Sequence, residues 1–219
     1  MARMRKAGRL WRKNDARAAA ERVMVAGEGP LFTVDPSTLF ECEAPLEVEL
    51  GAGRGDFIIA RAAAMPERNF IAVELAASVA RMMAVRGGRA GLTNLRVLRM
   101  DARTLVNLML PEASVSACHI YFPDPWPKER QAKHRLFTSH FVASLGRTLK
   151  ADAPLYVATD VCVYAAQIFA MLEGGGFRRE PTATAVAGAT QTGFARKFIA
   201  EGRPVYAGTF VAVSLDVAP

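Results

Sequence analysis

Val48-Glu49-Leu50-Gly51-Ala52-Gly53-Arg54-Gly55-Asp56 reads as a short apolar strand running into a glycine-rich turn. Glycines at 51, 53 and 55 let the backbone turn tightly beneath a ligand and present amides at the start of the following helix. The strand covers 46–50, and the helix after it covers 57–64 and is closed by Pro66. A second buried strand follows at 70–73, then a helix over 77–85 that stops at Gly87 and Gly88. Further strands are read at 95–100, 115–122 and 155–158, and helices at 141–149, with Ser139 as N-cap, and at 161–172. The tail offers one more strand at 205–215, preceded by a loop rich in Gly, Ala and Thr. Strand and helix alternating at this spacing predict a mostly parallel sheet with helices on both faces and an antiparallel C-terminal strand. The reading is one α/β domain over 41–219, preceded by a basic extension over 1–40.

The glycine spacing is G-x-G-x-G, whereas dinucleotide folds carry G-x-G-x-x-G. Glu49, just before the turn, puts a carboxylate where a phosphate would be repelled. Glu74 ends the second strand, about twenty residues past the turn, where an acid can accept from both ribose hydroxyls. Asp101 follows the third strand and is placed to accept from an adenine amino group. Acids after three successive strands, with no phosphate cradle, fit S-adenosylmethionine (SAM). The glycine spacing argues against a nicotinamide dehydrogenase. The competing reading, that Glu74 and Asp101 merely cap the helices after them, leaves Glu49 unexplained.

Composition sets the outer limits. The 219 residues are 51% hydrophobic and 22% charged, enough apolar content for a sizeable core. Cys42, Cys118 and Cys162 are at neither metal-ligand nor redox-pair spacing, which excludes a disulfide framework and a zinc ribbon and points to a reducing compartment. No apolar run approaches the roughly 20 residues that span a bilayer, so the chain reads as soluble and cytoplasmic, with no membrane partner. Monomer and homodimer both remain compatible with the sequence. The net charge is +7, and most of it lies at the start. Arg3, Arg5, Lys6, Arg9, Arg12, Lys13, Arg17 and Arg22 face only Asp15 and Glu21, with Trp11 among them. That pattern fits an arm lying on phosphates, a solvated terminus, or an organellar transit segment.

The chain's most specific stretch is His119-Ile120-Tyr121-Phe122-Pro123-Asp124-Pro125-Trp126-Pro127-Lys128. It begins at the carboxyl end of a strand, where open α/β sheets bind ligands. Three prolines stiffen the loop, so Asp124 and Trp126 are held in place. A carboxylate can pair with the guanine Watson–Crick edge, accepting from its ring N–H and amino group. Lys128, Arg130, Lys133 and Arg135 follow, opposed only by Glu129.

FPDPWPKERQAKHRL resembles the signature of the bacterial tRNA (guanine-N7-)-methyltransferase family, usually FPDPWPKKRHHKRRL. The resemblance runs from about residue 47 to 176 and takes in VELGAGRGDF, NFIAVEL, NLRVLRMDA and the Ala158-Thr159-Asp160 step. It implies a Rossmann-like SAM-dependent methyltransferase fold and methyl transfer from SAM to N7 of a guanine in the tRNA variable loop. It also implies cofactor contacts from Glu49, Gly51, Gly53, Gly55, Glu74, Asp101 and Asp124. Asp124 takes the catalytic role, and Lys128, Asp160, Thr192 and Phe194 fall on the tRNA side. Tyr121 stands where the family usually has Asn, Glu129 where it has Lys, and Gln131 and Ala132 where it has two histidines. The C-terminal Thr-Lys-Phe-Glu signature is reduced to Thr192-Gly193-Phe194-Ala195, or in another register to Arg196-Lys197-Phe198-Ile199. Guanine N7 already carries an in-plane lone pair, so Asp124 is expected to orient the base and not to remove a proton. Cys118, His119 and His140 read as structural. Two rivals are a SAM enzyme acting on another base or a small amine, and a non-catalytic tRNA-binding relative.

Overall fold

The computed structural model describes residues 15–25, 34–126, 128–181 and 183–213. The arm from Arg3 to Lys13, Pro127, Ser214 and Leu215 lie outside the described residues. In chain order the elements are helix α1 (15–21), β1 (Met24–Val25), α2 (Pro36–Leu39), β2 (Leu46–Leu50) and α3 (Asp56–Ala64). Then come β3 (Asn69–Val73), α4 (Ala77–Arg89), β4 (Leu95–Leu98), α5 (Ala102–Thr104) with a wider turn over Leu105–Met109, and β5 (Val115–Tyr121). A short 3-10 turn spans Glu129–His134, followed by α6 (Ser139–Thr148), β6 (Pro154–Thr159), α7 (Cys162–Gly174) and β7 (Phe177–Glu180). Helices α8 (Ala183–Thr190) and α9 (Gly193–Ala200) precede β8 (Tyr206–Ala212).

These strands form one eight-stranded sheet in the order β1-β4-β3-β2-β5-β6-β8-β7. All neighbours are parallel except β8, which runs antiparallel between β6 and β7. The order reverses between β2 and β5, and such a reversal opens a crevice at the carboxyl ends of the strands. Period-two alternation in β2 divides the core. Leu46, Val48 and Leu50 enter one apolar cluster with Phe141, Leu145 and Ile168 of α6 and α7. On the other face, Phe57 and Ile58 of α3 pack with Ala80 and Met83 of α4 and Phe70 of β3. Glu47 and Glu49 alternate with the apolar residues of β2, and both are buried.

Several local expectations are corrected. Gly87 and Gly88 do not end α4; they lie inside it. A Cβ on Gly88 would land on the carbonyl oxygen of Ala19, and one on Gly87 would sit 2.9 Å from the Leu95 side chain. These glycines therefore serve the close approach of α1 and β4 to α4, a packing role that a helix-stop reading misses. The cap of α6 is Thr138, whose hydroxyl accepts from Phe141 N at 3.2 Å, and not Ser139. The tail contains two strands, and the stretch read as a loop before β8 holds α8 and α9. Its Ala-rich composition is as good a helix former as it is a loop signal.

Candidate active site

A cavity of about 1020 Å³ opens at the carboxyl edge of the sheet. Its wall includes Glu49, Gly51, Gly53, Glu74, Asp101 and Asp124, and its cover includes Thr192 and Phe194. Gly55 is not on the wall. Its φ is +73°, and a Cβ there would lie 2.6 Å from Met83, so this glycine lets the turn pack on α4. Lys128 and Asp160 are also off the wall. Asp160 pairs with Arg203, whose guanidinium lies 4.1 Å from the Phe198 ring centroid.

The glycine turn is internally bonded. Gly51 N and Ala52 N both donate to Val73 O at 2.9 Å, Gly55 N donates to Ala52 O at 2.9 Å, and Gly53 N donates to Glu74 Oε2 at 3.0 Å. Four amides that would cradle a pyrophosphate in a dinucleotide fold already have partners here. Glu74 thus shapes the turn, and its other oxygen accepts from Ala76 N at 2.7 Å, beside the start of α4. Each of its oxygens keeps a second lone pair.

Glu49 is 3% exposed, and its Oε2 has no hydrogen-bond partner. Burial pushes its carboxyl well above the ordinary value; the Ile58 amide opposes this and the nearby Asp56 charge adds to it. A buried acceptor of this kind is costly without a donor and favourable beside a cation. Asp101 caps α5 by accepting from Arg103 N at 2.7 Å, and it pairs with the Arg103 guanidinium at 3.1 Å. Burial would raise its pKa, but the Arg103 hydrogen bonds and charge outweigh that and lower it.

Asp124 stands exposed at the mouth, between Phe122 at φ +54° and Trp126 at φ +40°. Non-glycine residues in this region persist only where the surroundings impose them. Phe122 N donates to Ala158 O at 2.7 Å, Arg135 donates to Pro125 O at 3.2 Å and to Trp126 O at 3.1 Å, and the Trp126 and His134 ring centroids lie 5.1 Å apart. The loop is braced from three sides.

Thr192 caps α9: its hydroxyl accepts from Ala195 N at 3.1 Å and donates to Ala189 O at 2.8 Å. Phe194 lies over the glycine turn, 3.8 Å from where a Cβ on Gly53 would be, and is 55% exposed. Phe198 packs edge-on to Phe122 at 5.5 Å. Asp56 joins three elements: it accepts from Arg86 of α4 at 2.7 Å and from Arg196 of α9 at 3.2 Å. Sequence reasoning missed this junction because its members lie 30 and 140 residues apart.

It also missed the layer beneath the cavity. Glu47, fully buried, pairs with Arg61 and with Arg68 at 3.1 Å, and its Oε2 lies 3.0 Å from His119 Nε2. His119 Nδ1 in turn meets the Tyr121 hydroxyl at 3.1 Å. The available signal was the alternation Leu-Glu-Val-Glu-Leu, which places a second acid on a buried face where only a cation would tolerate it. Burial pushes the Cys118 thiol up to about 12, as befits a core cysteine. Among the described residues no cluster of His, Cys, Asp or Glu is placed to hold a metal, and no helix is long and apolar enough to cross a membrane.

Residues 43–207 match a family described as "Putative methyltransferase". The tRNA (guanine-N(7)-)-methyltransferase of Syntrophotalea carbinolica is 34% identical over 176 residues, covering 78% of this chain and 76% of that protein. That of Leifsonia xyli is 39% identical over 185 residues, covering 81% and 77%. That of Nitrosomonas eutropha is 40% identical over a shorter 127 residues, 57% of its length. Among solved structures, the 16S rRNA methyltransferase KamB superposes with a TM-score of 0.59 at 16% identity, covering 86% of this chain and 98% of that one. A SAM-dependent methyltransferase from Aquifex aeolicus gives 0.55 at 15% identity, covering 81% and 87%. At such identities the structures establish the Rossmann-like methyltransferase fold. The sequence relatives, matched over most of their length and most of this chain, go further: the protein belongs to the tRNA (guanine-N(7)-)-methyltransferase family.

Proposed function

We propose that this protein transfers the methyl group of SAM to N7 of a guanine in tRNA. The observation that carries the reading is Asp124, held by a braced proline loop at the mouth of a cavity whose wall carries Glu49, Glu74 and Asp101 at the strand ends and whose glycine amides are already bonded. SAM fits that wall: it is cationic and carries no phosphate. Glu49, with its unpartnered buried oxygen, would face a positive group, while Glu74 would accept from the ribose hydroxyls and Asp101 from the adenine amino group. When bound, SAM supplies an electrophilic methyl whose sulfur leaves as a neutral thioether.

The residues of the chain do the positioning. Asp124 accepts from guanine N1–H and the 2-amino group, which fixes the base so that N7 points into the cavity. Because N7 has a lone pair and no proton, no general base is required, and the gain comes from orientation and exclusion of water. Phe122 and Phe194 give the entering base apolar surface to lie against. Lys128 and the exposed basic residues after it, with the N-terminal arm, would hold tRNA phosphates, contacts that position without specifying sequence. Asp160 would act through Arg203, and Thr192 by setting the start of α9.

Two results are expected. Label from methyl-labelled SAM should pass to an unmodified tRNA transcript and not to small amines; label on the amine instead would favour the rival reading. Glu74→Ala should weaken binding of SAM or its demethylated product by about 1–3 kcal/mol, the cost of leaving charged hydrogen bonds unmade. Calorimetry showing unchanged affinity in that variant would sink the placement of the cofactor.

A further inference from the structure

Cations from three separate elements line the cavity: Arg54 from the glycine turn, Arg86 from α4, and Arg196 and Lys197 from α9, with Asp56 tying Arg86 to Arg196. We propose that these four residues form a phosphate rim that takes the backbone phosphate of the nucleotide whose base enters the cavity. The proposal rests on the tRNA reading above and gives these cations a role that the family resemblance does not assign to them.

The rim is built, and its charge is not cancelled. Asp56 is the carboxylate within it, bonded to Arg86 at 2.7 Å and to Arg196 at 3.2 Å. One acid between two guanidinium groups fixes both while leaving each with unused N–H donors. The start of α9 is locked against the same acid, since a Cβ on Gly193 would lie 2.6 Å from Asp56 Oδ2. Among the described residues Lys197 pairs with Glu201 alone, at 3.9 Å on the surface, a contact too weak to neutralise it.

Position decides which anion the rim serves. The side chains of Arg86, Arg196 and Lys197 are 40%, 60% and 67% exposed, and Arg54 is exposed as well. Groups this open face a polymer passing outside the cavity. A carboxylate on a cofactor enclosed within it would call for buried donors. A guanosine that inserts its base beneath Phe194 brings its own phosphate to the mouth, because base and phosphate belong to one nucleotide. The phosphate is the anionic acceptor that such a nucleotide offers there, and Arg and Lys are the side chains that match it.

The test uses the full chain, an unmodified tRNA transcript and the demethylated cofactor product. The double variant Arg54→Ala/Lys197→Ala should bind the transcript about tenfold more weakly near physiological salt. Its plot of log affinity against log salt should be shallower by about 1, the change expected when one phosphate contact is lost. Its affinity for the demethylated cofactor should match wild type, which also shows that the variant is folded. The charge-keeping pair Arg54→Lys/Lys197→Arg should restore both RNA affinity and slope. Wild-type RNA affinity and slope in the alanine pair would overturn the rim. So would a loss of cofactor affinity with RNA binding intact, which would assign these cations to the cofactor carboxylate. A wild-type chain that binds cofactor but no tRNA would overturn the tRNA reading itself, and the rim with it.

Discussion

Asp124→Ala is expected to lower the single-turnover rate of methyl transfer to tRNA about a hundredfold, the loss that follows when a reacting group is no longer held in line. The binding of tRNA should fall far less, because phosphate contacts dominate nucleic-acid affinity. Asp124→Asn keeps the size and one acceptor oxygen but offers a donor to the guanine edge, so its loss should be intermediate. The pH dependence separates orientation from base catalysis. An orienting carboxylate gives no acid limb that belongs to proton removal, since N7 has no proton to give up. Single-turnover rates against pH, at saturating SAM and tRNA, check this. An acid limb present in wild type and absent in Asp124→Asn would defeat the orienting role.

The second large effect lies beneath the cavity. Glu47→Ala should destabilise the fold by about 3–5 kcal/mol, because it leaves Arg61, Arg68 and the buried His119 without their shared acceptor. The wild-type pH dependence has a definite sign. Burial opposes ionisation of Glu47, but hydrogen bonds from His119 and Arg61 and their charges outweigh it and hold the carboxyl at about 2, against an ordinary 4.5. A depressed native pKa means that the unfolded chain binds the proton more readily. The contribution is therefore complete above pH 4.5 and is lost as the pH falls towards 2, in all about 3 kcal/mol. His119 acts in the same direction: burial lowers its pKa, with the Glu47 hydrogen bond opposing, so acid again favours the unfolded chain. Urea unfolding at a series of pH values should give a steep fall in wild type over that window and a flatter one in Glu47→Gln. Equal slopes would mean that the pair is not what acid breaks.

The signals legible in the sequence were those carried by neighbouring residues. Leu46 to Asp56 declared a strand, a glycine turn and a helix start, and the structure has all three in place. The proline loop declared itself because its prolines stiffen it locally, whereas the braces from Ala158 and Arg135 that hold the left-handed residues around Asp124 were not legible. Gly87 and Gly88 were misread because a glycine that ends a helix and one that admits a neighbouring helix look the same until Ala19 is seen against them. Helices α8 and α9 were missed because Ala, Gly and Thr carry little periodic contrast, and α9 depends on a cap and on Asp56, which lies 140 residues from its partner Arg196. The buried Glu47 group and the cationic rim were hidden for the same reason: their partners are distant in sequence.

The central claim is that N7 of a tRNA guanine receives the methyl group. Its most direct test is mass spectrometry of nucleosides digested from an unmodified tRNA transcript after incubation with the protein and SAM carrying a deuterated methyl. The account predicts labelled N7-methylguanosine as the product, at a level set by one site per tRNA. Label on adenosine, cytidine or another position of guanosine would contradict it, as would an unlabelled transcript with a protein that binds both SAM and tRNA.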